Sequence, residues 1–232
     1  PKPDQVTVTI NTSQMNVLEQ FDWLDVKGSS MDDPANFNAY KEMTVPAQPG
    51  WAEEHIRRLT KAGIQSAFQC YNSNSFDSVE RLMRRGIYKG PLVMNWVAIG
   101  GGMDVPNVYS LANFMRAVPD GAVVTVESSV LNVLPVNVMG IAMGLHVRTG
   151  TEDNLWNQDR SAKIGTARQI EQLVRISREL GRPIATAKEA REISKIGVFY
   201  ETTEESLAAN GFAPNAPGRQ QGFLRKQQPV AA

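Results

Sequence analysis

Residues 91–126, PLVMNWVAIGGGMDVPNVYSLANFMRAVPDGAVVTV, decide the fold. Pro91 to Ile99 is an almost unbroken apolar run, as expected of a strand buried on both faces. It runs into Gly100-Gly101-Gly102. Ser110 to Val118 then reads as a helix, and Ala122 to Val126 as a second, β-branched strand. Two strands joined through a helix make a right-handed unit with parallel strands.

The same alternation extends outward in both directions. Val6 to Ile10 (VTVTI) reads as a strand, followed by Asn11-Thr12-Ser13. Trp23 to Val26 reads as a short second strand leading into Lys27-Gly28-Ser29-Ser30. Trp51 to Ala62 is helical and is stopped by Gly63. Ile64 to Cys70 is the third strand, and Ser78 to Arg85 the next helix, closed by Gly86. Beyond Val126, Ile141 to Val147 approaches the charged segment HVRTGTEDN (146–154) as a sixth strand. Ala162 to Leu180 is a long helix with Ile170, Leu173, Val174 and Leu180 on one face. Ala187 to Ile193 and Thr203 to Ala209 complete the helices. Residues 211–232 are rich in Gly, Pro, Gln and Ala and read as a tail or arm.

Six strands separated by helices predict an α/β fold, most of a (β/α)8 TIM barrel, over 1–200. A C-terminal helix and extended tail follow over 201–232. The phosphate loops of doubly wound folds are absent: no GxGxxG follows the first strand, and there is no GxxxxGK[ST]. Gly100 to Gly102 reads as a flexible turn or as a loop approached by ligand. About 250 residues is usual for a whole barrel, so 232 is tight. The chain also begins at Pro1 without methionine, which predicts residues upstream.

Composition excludes several classes. The 24 basic and 24 acidic side chains cancel, so no basic footprint points to nucleic acid. Cys70 is the single cysteine, so no disulfide framework exists within the chain, and a reducing, cytoplasmic setting is expected. No apolar run reaches the ~18 residues of a membrane span, and no signal peptide is visible.

In a β/α barrel, ligands lie at the C-terminal ends of the strands. The polar residues at those ends include Asn11, Thr12, Ser13, Ser29, Ser30, Gln69, Asn72, Asn95, Glu127, Ser128, His146, Arg148, Glu152, Asp153 and Asn154. The last group stands out for its charge. Arg148 can pair with either carboxylate, and Glu152 beside Asp153 favours a nearby cation. Two readings fit. One is a site in which a metal and an arginine balance the carboxylates. The other is a solvated loop with a surface ion pair and a helix N-cap at Asp153 or Asn154. His146 reads as a core histidine, His55 as a solvated one and Cys70 as an inert buried thiol. No HxH, HExxH or CxxC pair is present, so any metal site from this chain alone is incomplete.

GLHVRTGTEDNLW (144–156) resembles the GGHVRVGLEDNLY signature of the beta-keto acid cleavage enzymes. LGRPIATAKEAREI (180–193) is similar to that family's LGRxxATxxEAREIL, at matching separation. LDVKGSSMDDPANFN (24–38) resembles its SLNxGSMNF strand end, and GIQSAFQCYNSNSF (63–76) its GIKPELEVFDTGH. The resemblance spans roughly 6–200.

It implies a TIM barrel with zinc or another divalent metal. The reaction it implies condenses a beta-keto acid with acetyl-CoA, giving acetoacetate and a new acyl-CoA. By the same resemblance Glu152 is a metal ligand, Asp153 the base or its partner, Arg148 its orienting group and Ser30 a hydroxyl touching substrate. With Ser13 at the first strand end, Asp32 and Gln69 are the expected substrate-binding residues. A homo-oligomer is expected, with the tail as a candidate exchanged arm.

There are departures. Counted against the family, Val6 to Ile10 matches strand three, so this chain is expected to hold strands three to eight. The family's His-x-His metal pair lies on strand two, outside this sequence, and the chain alone is expected to be inactive. Gln69 stands where the family has a glutamate, and Asn72 where it has an aspartate. Both changes remove negative charge, which points to a substrate without a cationic amino group. The competing functions are another metal-dependent barrel lyase or aldolase, or an inactive fragment with a binding role.

Overall fold

The computed structural model describes residues 2–11, 18, 21–42, 48–130 and 132–217. Five parallel strands form one sheet: β1 (Gln5–Thr9), β2 (Gln65–Cys70), β3 (Val93–Ala98), β4 (Val123–Ser128) and β5 (His146–Val147). They lie in chain order, each paired with its predecessor. A doubly wound sheet reverses its order partway, whereas the wall of a β/α barrel does not. The architecture is therefore TIM-like.

Helices fill the crossovers. α1 (Trp23–Val26), α2 (Pro34–Ala39) and α3 (Pro49–Lys61) precede β2; α4 (Ser73–Arg84) precedes β3; α5 (Val108–Met115) precedes β4; α6 (Val133–Ala142) precedes β5. α7 (Thr166–Glu179), α8 (Ala187–Ile193) and α9 (Thr203–Ala209) follow. No helix of the described residues is long and apolar enough to cross a membrane.

The sheet has two chemically distinct faces. Side chains alternate along a strand, and the registers align equivalent positions across it. Val8, Phe68, Cys70, Met94, Trp96, Val124 and Val126 form one set, all buried in the main core beneath the helices. Burying each large member stabilises the fold by roughly 1.5–3 kcal/mol. The other set is mostly polar. Thr9 pairs with Gln69, Gln69 with Asn95, Asn95 with Thr125 and Thr125 with His146. This face lines a hollow bordered by Thr7, Asn95, Thr125, His146, Ala190 of α8 and Ser194 just past its end.

Two expectations fail. Trp23 to Val26 is a helix, not a strand. Asp22 Oδ1 accepts from the Leu24 and Asp25 amides at 2.8 and 3.2 Å, and Asp25 Oδ2 accepts from the Asp22 amide at 3.1 Å. This capping box satisfies the helix N-terminus, while Trp23 and Leu24 stay exposed rather than entering a sheet. The described residues thus hold five strands instead of six. The approach to His146 is also mostly helical: α6 runs to Ala142, Gly144 turns with φ +83°, and β5 is two residues long. α6 is apolar on nearly every side, so its sequence carries little helical periodicity.

After β3, Gly100, Gly101 and Gly102 have φ of 70, 59 and 93°. Three successive left-handed residues need glycine. The turn they form returns the chain so that Asp104 Oδ2 accepts from Trp96 Nε1 at 2.8 Å.

α9 joins the body of the fold through Leu207, fully buried in the core, and through Asn210 just beyond its end. Asn210 Oδ1 accepts from the Leu92 amide at 2.7 Å, and its Nδ2 donates to the Gly90 and Ser206 carbonyls at 3.1 and 2.7 Å. Asn210→Ala is expected to cost about 3 kcal/mol, since it orphans the buried Leu92 amide, read by urea denaturation. On α6, a methyl at Gly140 would run into Val126 Cγ2 and lie 3.0 Å from Val147 Cγ1. Gly140→Ala should destabilise by about 1–3 kcal/mol in the same measurement.

Candidate active site

The strands bring their C-terminal ends together on the polar face, and one connected network forms there. Thr9 Oγ1 at the end of β1 donates to Gln69 Oε1 on β2 at 3.2 Å, which Tyr71 OH also approaches at 3.4 Å. Gln69 Nε2 donates to Glu127 Oε1 on β4 at 3.4 Å. Glu127 Oε2 lies 3.0 Å from Arg148 Nη1, just past β5. That contact is an ion pair by distance without hydrogen-bond alignment, so Oε2 has no hydrogen-bond donor.

The opposite edge of Arg148 is fully engaged. Its Nε and Nη2 fork onto Asp153 Oδ2 and Oδ1, both at 3.0 Å. Nη2 also reaches Glu152 Oε2 at 2.8 Å. A planar guanidinium matches a carboxylate in this bidentate way, which fixes orientation as well as charge. Asp153 is held further by Ser129 Oγ, which donates to Oδ1 at 3.0 Å, and by the Val130 amide, which donates to its carbonyl at 2.7 Å. Val130 sits at φ 67°, a costly conformation for a β-branched residue, and this is where the β4 loop meets the β5 loop.

Burial divides the three carboxylates. Asp153 and Glu127 are buried, whereas the Glu152 side chain is 83% exposed. Burial pushes the Glu127 carboxyl up to about 7, opposed by Arg148 and assisted by the nearby Asp153 charge. Burial acts to lower Arg148, but the Glu127 and Asp153 charges outweigh it and raise it. Tyr71 rises to about 12, first through burial and then through Glu127.

The predicted site residues divide clearly. Gln69, Arg148, Glu152 and Asp153 meet in one cluster. Ser13 lies outside the described residues. Ser30 and Asp32 sit in the short 3-10 turn after α1. Asp32 Oδ2 accepts from the Gly28 amide at 2.9 Å, and the Ser30 carbonyl from Asn36 Nδ2 at 2.9 Å. Among the described residues, no hydrogen bond or ion pair joins either of them to the cluster. Their segment is nonetheless pinned beside the loop that follows Asn154: Trp156 Nε1 and Arg160 Nη2 donate to Asp25 Oδ1 at 2.9 and 2.8 Å. The Arg160 guanidinium also lies over the Trp156 ring.

The alternative of a helix N-cap fails, because residues 151–153 form a turn and no helix starts there. Its other half holds for Glu152, an exposed partner of Arg148. His146 is not in the core; it lies on the polar face, where burial and then Arg182 lower its pKa. Cys70 is the buried thiol expected, pushed up by burial. Asn72 spends its side chain capping α4. Glu127 is the residue whose importance sequence reading missed. It appeared only as one polar strand end among many, and its parity with Gln69 and Arg148 was the available signal.

A metal does not fit the described residues by themselves. No three His, Cys, Asp or Glu side chains among them group as a donor set, and Glu152 supplies a single exposed carboxylate whose Oε2 is paired with Arg148.

Residues 1–196 match the family model for the beta-keto acid cleavage enzymes. The chain is 30% identical over 136 residues to a 3-keto-5-aminohexanoate cleavage enzyme of Acetoanaerobium sticklandii, covering 58% of this chain and 50% of that protein. It is 28% identical over 135 residues to the enzyme of the same name from Fusobacterium nucleatum, covering 58% and 49%. It is 26% identical over 139 residues to a 3,5-dioxohexanoate:acetyl-CoA acetone transferase of Paraburkholderia graminis, covering 58% and 44%. The chain spans about half the length of the curated relatives it matches.

Glu127 makes stability depend on pH. Its carboxyl holds a proton up to about 7 when folded, against an ordinary value of 4.5. Its contribution is therefore fully present below pH 4.5 and lost as pH rises through 7. Against a Glu127→Gln variant, which does not titrate, the native protein should lose about 3 kcal/mol of stability across that window. Urea denaturation of both proteins at several pH values measures the difference.

Proposed function

This chain belongs to the beta-keto acid cleavage enzyme family, and from that premise we propose that it supplies the acid–base half of such a site. In this reading a beta-keto acid and acetyl-CoA become acetoacetate and a new acyl-CoA. The observation that carries it is the buried Asp153 carboxylate, forked by Arg148 at the C-terminal end of the sheet. The acetyl-CoA in the name of the acetone transferase relative supports the choice of co-substrate.

The reaction needs a base for the carbon between the two carbonyls, and a positive group where negative charge develops. Asp153 is the base and takes that proton. Arg148 orients Asp153 through the fork and keeps its charge beside the developing enolate. The new carbanion attacks the thioester carbonyl of acetyl-CoA and the C–S bond breaks. The released CoA thiolate then attacks the original keto carbonyl, and the C–C bond to the former carbanion carbon breaks. This gives the new acyl-CoA and the enolate of acetoacetate, which takes the proton back from Asp153. Ser30 donates to the oxygen of the tetrahedral centre formed at the thioester, and Ser13, Asp32 and Gln69 complete the substrate contacts. Glu152 is the residue of this chain assigned to zinc or another divalent metal. One exposed carboxylate is not by itself a donor set.

The Gln69 amide donates to Glu127, whose other oxygen faces Arg148 rather than substrate. The preference inferred from Gln69 and Asn72, a substrate without a cationic amino group, is therefore kept in this reading.

The test, made in the full-length protein, follows acetoacetate and acyl-CoA formation from acetyl-CoA and a panel of beta-keto acids. Asp153→Asn is expected to lower kcat by roughly 100- to 10,000-fold, the range of a lost general base. Arg148→Ala should lower kcat/KM by a comparable factor. Unchanged turnover in either variant sinks the assignment.

A further inference from the structure

The Arg148 fork does not stand alone, because its far edge is held by a residue no part of the proposed reaction uses. Glu127 is 1% exposed, projects from the end of β4 and contacts Gln69 on one oxygen and Arg148 on the other. Arg148 has two usable edges. The Nε–Nη2 edge takes Asp153, and Nη1 faces Glu127. Among the described residues Nη1 has no ion-pair partner besides Glu127, so without it the guanidinium is held from the Asp153 and Glu152 side alone. Glu127 is itself steered by Gln69, which Thr9 steers in turn. A chain of contacts thus runs from β1 through β2 and β4 to Arg148 and ends at Asp153.

We infer that Glu127 is a positioning residue: by holding Nη1 of Arg148, it fixes the plane of the guanidinium and hence the orientation of Asp153. The inference rests on the proposed roles of Arg148 and Asp153. It predicts that Glu127 acts through them and does not touch substrate. A misplacement of about 1 Å at a reacting group costs on the order of 100-fold. That sets the size of the effect.

The experiment uses Glu127→Ala, Glu127→Gln and both changes in an Arg148→Ala background. The assay uses the beta-keto acid on which the native protein is most active. Glu127→Ala should lower kcat about 100-fold with KM changed less than about threefold. Glu127→Gln keeps an oxygen for Nη1 and should recover roughly tenfold of that loss. In the Arg148→Ala background, Glu127→Ala should change kcat by less than about twofold, because two residues acting as one unit do not add. A crystal structure of Glu127→Ala should show the guanidinium turned away from Asp153. Should the alanine variant fail to fold, the kcat and KM of Glu127→Gln decide the matter.

Three results overturn the proposal: an intact Arg148–Asp153 fork in Glu127→Ala, a loss confined to KM, or full additivity with Arg148→Ala. If the native protein exchanges no beta-keto acid at all, the functional reading falls instead. The crystal structure of the variant then still decides whether Glu127 holds Arg148.

Discussion

One guanidinium serves three carboxylates, and the candidate site is arranged around that imbalance. Arg148 contacts Asp153, Glu152 and Glu127 at 2.8–3.0 Å. Its single charge cannot offset three negative ones. The site resolves this by burial rather than by distance. Asp153 receives the bidentate fork and two further donors. Glu152 stays in water, where its charge is screened. Glu127 is buried on the weaker contact, and its carboxyl holds a proton to about 7.

The sheet supplies the frame for this arrangement. Parallel strands flanked by helices bury one set of alternate side chains in an apolar core. Polar groups on these strands therefore lie mostly on the opposite face, with Ser66 and Ser128 as small exceptions on the core side. Because the strands follow chain order, that face gathers one polar strand end after another into a continuous surface. The network from Thr9 to Asp153 draws on β1, β2 and β4 and on Arg148 just past β5. Its length reflects a shared register, since Thr9 aligns with Gln69 and Gln69 with Asn95.

Much of the fold was legible because its signals were local. Apolar strands such as Val93 to Ala98 and glycine-stopped helices such as α3 and α7 follow from short-range pattern. The failures were of two kinds. Trp23 to Val26 has strand-like side chains, but Asp22 and Asp25 cap it as a helix, and a capping box outweighs weak β propensity. α6 is apolar almost all round, so its period is hidden and its C-terminal end reads as strand. The charged cluster was legible as a motif, with Arg148, Glu152 and Asp153 within six residues. The separation of Glu152 from Asp153 was not, because adjacent residues in a turn point to different environments.

The sequence by itself determined the parallel α/β class, the family resemblance and the clustering of Arg148 with Glu152 and Asp153, since each depends on residues close together in the chain. Tertiary structure alone decided that Glu127 belongs with that pair and that Gln69 is one of its contacts. It also decided that Ser30 and Asp32 make no direct bond to the cluster. Glu127 lies 58 residues from Gln69, and only the register of intervening β3 brings the two strand ends side by side. Ion pairing and burial are properties of that spatial arrangement, and no local pattern in the chain encodes them.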